Sequence, residues 1–269
     1  MKKERLEPLL KWPGGKRWLA QSVSLLLPKK YRSYYEPFLG SGAVFFYLQP
    51  NSGLISDKNA ELINLYEIVR DYPHKIRKKI EKHQLLHSKE HYYKVRSMEP
   101  KCMIERAVRF LYLNRTCWNG LYRVNRKGHF NVPVGTKQKV VFDYDDFVTM
   151  SKRLKNIGLR CSDFEDVIDE AKENDFIFVD PPYTVKHNFN GFIQYNEKIF
   201  SWQDQERLHG ALERAANRGC FIIVTNADCE SVRDLYKNAN YRQVSRKSVI
   251  AGVGHKRGIV TEAIFTFNL

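Results

Sequence analysis

The sequence lacks the features of a membrane-spanning or disulfide-stabilised protein. No stretch approaches the roughly 18 consecutive apolar residues that a transmembrane helix needs. The five cysteines are widely spaced and form no Cys-x-x-Cys pair, so a zinc or redox site of that kind is not indicated. The basic N-terminal segment is broken by Pro8 and Pro13 and has no small-residue cleavage site, unlike a signal peptide. These absences favour a cytoplasmic protein with reduced thiols.

Acidic residues are also scarce relative to basic ones. The chain has 30 Asp and Glu against 45 Lys and Arg, which gives a formal net charge of +15. The excess is local, because residues 70–142 contain 18 basic and 5 acidic side chains while the remainder is nearly neutral. A basic block within a neutral framework indicates a dedicated surface for a polyanion such as a nucleic acid.

Outside the basic block, short apolar runs alternate with segments of helical periodicity, which is typical of an α/β sheet. Strands are predicted at 34–36, 54–56, 158–161, 176–179, 221–225 and 260–267, and a helix is predicted from about 203 to 217. Within the block, residues 72–109 have the pattern of two or three amphipathic helices. The stretch from Arg115 to Lys139 has the composition of a loop.

The first predicted strand leads into a glycine turn, Glu36-Pro37-Phe38-Leu39-Gly40-Ser41-Gly42, ahead of a helix-like segment. Glycines at such a turn let the backbone approach a ligand closely, and a carboxylate at the end of the next strand, here Asp57, is placed to bind a ribose diol. A lone Gly-x-Gly pair is more often a simple turn. The spacing from Gly40 to Asp57 favours a cofactor site.

The sequence Asp180-Pro181-Pro182-Tyr183 directly follows the apolar run at 176–179. The two prolines stiffen the backbone and remove two N–H donors, so the Asp carboxylate and the carbonyls form a patch of acceptors beside an aromatic ring. Such a patch suits an exocyclic amino group on a planar base, with the ring of Tyr183 as a stacking face. The alternative is a proline turn that only ends a strand.

Two further segments have the composition of ligand-binding loops. Residues 114–135 interleave aromatic, amide and Arg side chains around three glycines, and Tyr122–Val132 is predicted to form a short hairpin. The sequence Lys11-Trp12-Pro13-Gly14-Gly15-Lys16 precedes the first amphipathic helix and again allows close approach of a ligand. A solvated surface hairpin and an ordinary N-terminal loop are the respective alternatives. A basic glycine loop at 252–257 either touches a polyanion or only turns.

These motifs occur in a recognisable order: 11–16, 36–42, Asp57, 119–135 and 180–183. The ordered set resembles the Dam-type (class D12, alpha group) DNA adenine N6-methyltransferases over nearly the whole chain. The resemblance implies a Rossmann-like methyltransferase sheet with an inserted helical target-recognition domain that bears a β-hairpin. The catalytic domain would comprise 1–58 and 143–269, and the recognition domain 59–142. Trp118 stands where the family often has Tyr, and Thr136 where an Arg is frequent.

The resemblance also implies an activity and its partners. The expected reaction moves a methyl group from S-adenosyl-L-methionine to N6 of an adenine flipped out of double-stranded DNA, in GATC or a closely related site. No metal and no membrane would take part. The protein would be a cytoplasmic monomer associated with bacterial or phage DNA, either alone or within a restriction-modification system.

Site residues follow from the same resemblance in three groups. The catalytic residues would be Asp180, Pro181, Pro182 and Tyr183. The cofactor-binding residues would be Trp12, Lys16, Phe38, Gly40, Gly42, Asp57, Asp163, Phe164 and Asp180. The DNA-binding residues would be Lys11, Asn119, Leu121, Arg123, Asn125, Arg126, Lys127, Pro133 and Lys137.

Other interpretations remain open at this point. A similar acceptor motif can serve cytosine N4, an adenine in RNA or a glutamine side chain, and a non-catalytic DNA-binding regulator would share the basic block. A nicotinamide dehydrogenase would use the glycine turn but leaves residues 180–183 without a role. His83, His87 and His91 fall at i, i+4 and i+8, but no acid or thiol completes a metal shell, so we predict that they do not bind a metal.

Overall fold

The computed structural model describes residues 6–12, 14–125, 128–184, 200–247 and 259–269. The chain divides into two compact units. The first comprises Met1–Leu25 and Leu39–Ser162, and the second comprises Leu26–Phe38 and Asp163–Leu269. The functional domains predicted above, 1–58 with 143–269 and 59–142, stay a prediction.

The described residues contain ten α-helices, one 3₁₀ turn and seven strands. In chain order these are α1 Ala20–Leu25, β1 Tyr34–Glu36, α2 Ala43–Leu48, β2 Gly53–Asp57, α3 Ala60–Asp71, α4 Pro73–Leu86, α5 Lys89–Ser97, α6 Met103–Thr116, the 3₁₀ turn Trp118–Gly120, α7 Phe147–Leu154, β3 Ile157–Cys161, α8 Phe164–Glu170, β4 Phe176–Val179, α9 Trp202–Asn217, β5 Phe221–Ala227, α10 Glu230–Leu235, β6 Asn240–Lys247 and β7 Ile259–Phe267. Among these helices, none is both long enough and apolar enough to cross a bilayer.

The second unit is built on a sheet in which β1, β4, β5, β7 and β6 pair in that order. Strands β1, β4 and β5 are parallel, β7 is antiparallel to β5, and β6 is antiparallel to β7. All four residues of β4 are buried, as expected in the interior of a parallel sheet. Helices α8 and α9 contribute Ile168 and Leu208 to the apolar core that also contains Val179 and Val224. Parallel strands that alternate with helices confirm the predicted α/β, Rossmann-like class.

The first unit combines the parallel strands β2 and β3 with helices α3 to α7. Asn59 precedes α3, and its side chain accepts hydrogen bonds from two backbone N–H groups of the first turn, so the helix start is capped. Helices α3 and α6 pack against each other. Their buried side chains include Leu62, Leu65, Val108 and Leu111.

Helix α4 shows how the basic block combines folding with a charged surface. Of its 14 residues, the structure buries Ile76 and Ile80, which lie four positions apart on one face. Lys75, Lys78 and Lys82 are exposed. The narrow apolar stripe attaches the helix to the unit and leaves most of its surface to cations.

The predicted strands all fall within observed ones, and the predicted helix at 203–217 falls within α9. Residues 72–109 form α4, α5 and the start of α6, as predicted. Strand β6 is missing from the prediction because it is an edge strand in which polar residues are common. The prediction that a loop begins at Arg115 was wrong, because α6 continues to Thr116. Arg115 and Thr116 are polar, but both side chains are buried and have hydrogen-bond partners within the protein.

A buried ion pair lies at the end of α6. The Arg115 guanidinium binds both carboxylate oxygens of Asp145 at 2.6 and 2.7 Å, and the two side chains are 1% and 0% exposed. Arg115 also donates to the backbone carbonyls of Leu9 and Val140. One side chain therefore joins the N-terminal segment, α6 and the segment before α7.

We expect Arg115→Met to lower the free energy of unfolding by about 3–5 kcal/mol, because Asp145 would remain buried without its counter-ion. Urea unfolding followed by circular dichroism measures the change. Lys139→Ala, which breaks an exposed ion pair with Asp143, is the control and is expected to leave the midpoint nearly unchanged. A loss below about 1 kcal/mol for Arg115→Met would contradict the structural role given to the pair.

Candidate active site and nucleic-acid interface

The Asp180-Pro181-Pro182-Tyr183 motif leaves the carboxyl end of β4 in the second unit. The register between β4 and β5 pairs Val179 with Val224, so Thr225 on β5 is adjacent to Asp180. The Thr225 hydroxyl donates to Asp180 Oδ1 at 2.7 Å. Asp180 is half-buried, and Thr225 is completely buried. The predicted acceptor group is thus held in a defined orientation at the end of the sheet.

Tyr183, at the other end of the motif, is held by a residue of β7. Its hydroxyl donates to Glu262 Oε2 at 2.8 Å, and Glu262 is 2% exposed. Desolvation, together with the negative charges of Asp180 and Glu262, raises the pKa of Tyr183 well above its ordinary value. The phenol is therefore neutral and acts as a hydrogen-bond donor to Glu262.

An aromatic group in the second unit contains two of the predicted cofactor residues. The rings of Phe38 and Phe164 stack with their centroids 5.3 Å apart, and Phe200 meets Phe38 edge-on at 5.6 Å. Asp163 caps α8 by accepting from the backbone N–H of Glu165. This places a carboxylate directly beside the aromatic faces.

Arg207 on α9 holds both Asp163 and Phe164. Its guanidinium binds the two carboxylate oxygens of Asp163 at 2.6 and 3.0 Å and lies 4.1 Å from the centroid of the Phe164 ring. Asp163, Glu165 and Asp204 surround the guanidinium and raise its pKa above the ordinary arginine value. Arg207 lies in no sequence motif and was therefore not predicted.

The glycine turn of the first unit brings together three predicted cofactor residues, Trp12, Gly40 and Asp57. Gly40 has φ of +51°, and its backbone N–H donates to Asp57 Oδ2 at 3.0 Å. A Cβ on Gly40 would come within 2.8 Å of Trp12 Cδ1, so only glycine fits there. Burial raises the pKa of Asp57, while the N–H groups of Gly40 and Asn59 act in the opposite direction.

Lys16 and Gly42 complete the predicted cofactor residues of this unit. Lys16 is 3% exposed, and its Nζ donates to the Gly14 carbonyl at 2.8 Å. Gly42 has φ of +66° and precedes the first residue of α2. The loop therefore contains a buried cation close to a tight glycine turn.

Antiparallel bridges lie where the sequence predicts the hairpin Tyr122–Val132; the described residues 117–125 and 128–134 are here called the recognition hairpin, after the role predicted for them. Isolated antiparallel bridges join Cys117 to Val134 and Val124 to Phe130. The Asn131 N–H donates to the Arg123 carbonyl, and Arg123 Nε donates to the Asn131 side-chain oxygen at 3.0 Å. The Arg123 guanidinium is thus oriented while it remains exposed to solvent.

The predicted DNA-binding residues in the described ranges are exposed or half-buried. They are Lys11, Asn119, Leu121, Arg123, Asn125, Pro133 and Lys137. Arg126, Lys127 and the glycine loop at 252–257 lie outside the described residues. Trp118 is 51% exposed although it is among the largest side chains, which leaves an aromatic face towards solvent.

Asn114, at the end of α6, connects Lys11 to the recognition hairpin. Its Oδ1 accepts from the Lys11 N–H, and its Nδ2 donates to the carbonyls of Lys11 and Gly120. A Cβ on Gly120 would lie 2.7 Å from the Lys11 Cβ, which shows how closely the two segments pass. Partial burial, followed by the positive charge of Lys137, lowers the pKa of Lys11. Lys11 and Lys137 therefore contribute to one positive region.

The chain after the recognition hairpin is fixed by polar side chains of α4 and its C-terminal end. Gln84 Oε1 accepts from the N–H groups of Val140 and Val141, and His87 Nε2 lies 3.1 Å from the Lys137 carbonyl oxygen. These bonds set the position from which the Lys137 side chain extends.

The histidines pair with each other and with an aromatic ring. His83 Nδ1 lies 2.9 Å from His91 Nε2, and both rings pack on Tyr112. His87 Nδ1 lies 2.8 Å from the Tyr112 hydroxyl oxygen. Over the ranges that the structure covers, no three His, Cys, Asp or Glu side chains are arranged to hold a metal ion.

The structure thus groups the predicted residues within each unit. The first unit contains Trp12, Lys16, Gly40, Gly42, Asp57 and the recognition hairpin, and the second contains Phe38, Asp163, Phe164 and residues 180–183. The prediction missed the supporting residues Asn114, Asn131, Arg207, Thr225 and Glu262. A weak signal existed for Thr225 and Glu262, because each is a polar residue in a strand whose other residues are mostly apolar.

Comparison with known proteins gives a consistent result. Residues 12–250 match the model of the D12 class N6 adenine-specific DNA methyltransferases. The chain is 36% identical to the type II methyltransferase M1.LlaDCHI of Lactococcus lactis subsp. cremoris, over 98% of this chain and 96% of that protein. It is 31% identical to a DNA adenine methylase of Vibrio cholerae, over 100% and 99% of the two chains. It is 34% identical to a DNA N-6-adenine-methyltransferase of Escherichia phage P1, over 92% of this chain and 34% of that protein.

The histidine pair predicts a pH-dependent stability. Burial, with the neighbouring His91, lowers the pKa of His83 to about 4, so the folded protein binds a proton there less readily than the unfolded chain does. The free energy of unfolding should therefore fall as the pH drops from about 6.5 to 4, by about 1–3 kcal/mol from this residue.

Urea unfolding across this pH range tests the expectation. His83→Gln should flatten the dependence, whereas His74→Gln, at an exposed position of the same helix, should keep the wild-type slope. An unchanged slope in His83→Gln would show that other groups cause the acid sensitivity.

Proposed function

The chain belongs to the D12 class of N6 adenine-specific DNA methyltransferases, and from that premise we propose that it methylates N6 of an adenine flipped out of duplex DNA. We propose GATC or a closely related sequence as the site and S-adenosyl-L-methionine as the methyl donor. The observation that carries the proposal is the Asp180–Tyr183 motif at the carboxyl end of β4, with Asp180 oriented by Thr225.

The residues present fit this cofactor. Asp57 is a buried carboxylate suited to a ribose diol, and the turn at Gly40 has no room for a Cβ beside Trp12. Lys16 offers a buried cation for a ligand carboxylate, and Phe38 and Phe164 offer aromatic faces for an adenine ring or a sulfonium. When bound, the cofactor supplies an electrophilic methyl group on a positively charged sulfur.

The role proposed for the chain's own residues is to make the adenine amino group a better nucleophile. The lone pair of an adenine amino group is delocalised into the ring, so the amine is a weak nucleophile until its hydrogens are held out of the ring plane. We propose that Asp180 and the Pro181 carbonyl accept these hydrogens, which localises the lone pair and aligns it for attack. The proline at 182 keeps the turn stiff, and the ring of Tyr183 stacks on the base.

The base reaches this turn only if it leaves the helix, because the acceptors cannot approach an amine inside stacked, paired DNA. We propose that the recognition hairpin reads the flanking bases. Arg123 would donate to the O6 and N7 atoms of a guanine, while Lys11, Asn119, Leu121, Asn125 and Pro133 contact neighbouring base edges or the backbone. Lys137 and the exposed lysines of α4 would bind phosphates.

The similar proteins include a type II methyltransferase, a bacterial DNA adenine methylase and a phage enzyme. We propose that the chain acts as a monomer on bacterial or phage DNA in the cytoplasm. Methylation without a partner nuclease and methylation within a restriction-modification system use the same chemistry.

Asp180→Ala is expected to reduce methyl transfer to below about 1% of wild type while DNA binding is kept, because the variant loses an acceptor used in the transition state. Transfer of tritiated methyl groups to defined duplexes, with mapping of the modified base, measures the effect. Asp234→Ala, an exposed acid of the same unit, is the control. Near-normal turnover in Asp180→Ala, or a label on cytosine, would refute the proposal.

Arg123→Ala is expected to relax discrimination at one base pair by about 1–3 kcal/mol, since a bidentate contact to guanine would be lost. Lys137→Ala should weaken binding to all duplexes alike and lower the salt dependence by about one phosphate contact. Binding isotherms on sequence-varied duplexes at several salt concentrations separate the two. If both variants changed affinity in the same pattern, the hairpin would not be the element that reads sequence.

A further inference from the structure

Both ends of the Asp180–Tyr183 motif are held by side chains from neighbouring strands. Thr225 of β5 donates to Asp180 Oδ1 at 2.7 Å, and Glu262 of β7 accepts from the Tyr183 hydroxyl at 2.8 Å. Thr225 and Glu262 are 0% and 2% exposed. Two buried polar side chains thus contact the motif from neighbouring strands and are shielded from bulk solvent.

The location of Thr225 argues against a role in packing alone. Its strand neighbours Ile222, Ile223 and Val224 are completely buried apolar residues, and a valine at 225 would fill the same volume without a polar atom. A buried hydroxyl costs free energy unless it finds a partner. The Thr225 hydroxyl lies 3.4 Å from the Val179 carbonyl oxygen and 2.7 Å from Asp180 Oδ1, so its shorter contact is with the one carboxylate of the motif and restricts the orientation of that carboxylate.

Glu262 makes a corresponding contact through a different strand. Its partner across the β5–β7 pairing is Ala227, two residues beyond Thr225, so both supports lie at the same end of these two strands. A buried carboxylate that accepts from a phenol fixes the direction of the Tyr183 ring. The prolines between the two supported residues restrict the backbone, which adds to the effect of the two hydrogen bonds.

We infer that Thr225 and Glu262 are positioning residues of the methyl transfer, which fix Asp180 and Tyr183 in the orientation that the target amine requires. The inference rests on the proposed function. It predicts that loss of either hydrogen bond impairs the chemical step and leaves ligand binding intact, because neither residue needs to touch the DNA or the cofactor.

The test compares Thr225→Val, which keeps the shape, with Thr225→Ser, which keeps the hydroxyl. We expect kcat to fall by about 10–100-fold in Thr225→Val while KM for both substrates stays within about twofold. Thr225→Ser should restore most of the wild-type kcat. Thermal unfolding of both variants establishes that they are folded at the assay temperature.

Glu262 gives a second, independent pair of variants. Glu262→Gln retains an oxygen that can accept from Tyr183 and should keep kcat within a few-fold, whereas Glu262→Leu should lower kcat as Thr225→Val does. Equal loss in Glu262→Gln and Glu262→Leu would show that the charge, and not the hydrogen bond, is what matters.

Asp180→Ala in the same assay distinguishes failure of the positioning inference from failure of the proposed function. If Asp180→Ala is inactive but Thr225→Val has wild-type kcat, the positioning inference is wrong and the proposed function stands. A rise in KM at constant kcat, or equal impairment of Thr225→Val and Thr225→Ser, would also overturn it. If Asp180→Ala turns over normally, the proposed function itself fails.

Discussion

The first unit is organised around two polar side chains buried at the end of α6, which both require hydrogen-bond partners within the protein. Asn114 and Arg115 are inaccessible to water, so each must find partners within the protein. Asn114 finds them in Lys11 and Gly120, and Arg115 in Leu9, Val140 and Asp145. The N-terminal segment, the recognition hairpin and the chain beyond it are therefore assembled around two consecutive residues.

The sequence predicted secondary structure well wherever a local pattern of apolar residues determines it. Apolar runs such as 176–179 and 221–225 predicted buried strands, and the motif after the first of these identified the residues for which we propose catalysis. Polar composition misled at Arg115, where buried partners from distant segments allow the helix to continue. Strand β6 was not predicted because it pairs on one side only, and polar residues are common in such an edge strand. Arg207 was out of reach because its importance arises from contacts with Asp163 and Phe164, more than 40 positions earlier.

The two charged surfaces of the protein have different physical characters. On α4, Lys75, Lys78 and Lys82 are exposed to solvent, so their effect on a polyanion depends on salt. At the hairpin, Arg123 is held by Asn131, which reduces the conformational freedom lost when a planar partner is bound. Under the proposed function, affinity and selectivity would therefore depend on different residues, and either property could change without the other.

Trp12 lies between the glycine turn at Gly40 and the recognition hairpin. Its indole packs against the Gly40 turn on one side and stacks on Tyr122 of the recognition hairpin, with ring centroids 6.0 Å apart. A larger residue at 40 would displace the indole, and the displacement would pass directly to Tyr122. The absence of a side chain at position 40 therefore matters in two places, since under the proposed function it preserves both the cofactor turn and the position of the hairpin ring that packs on Trp12.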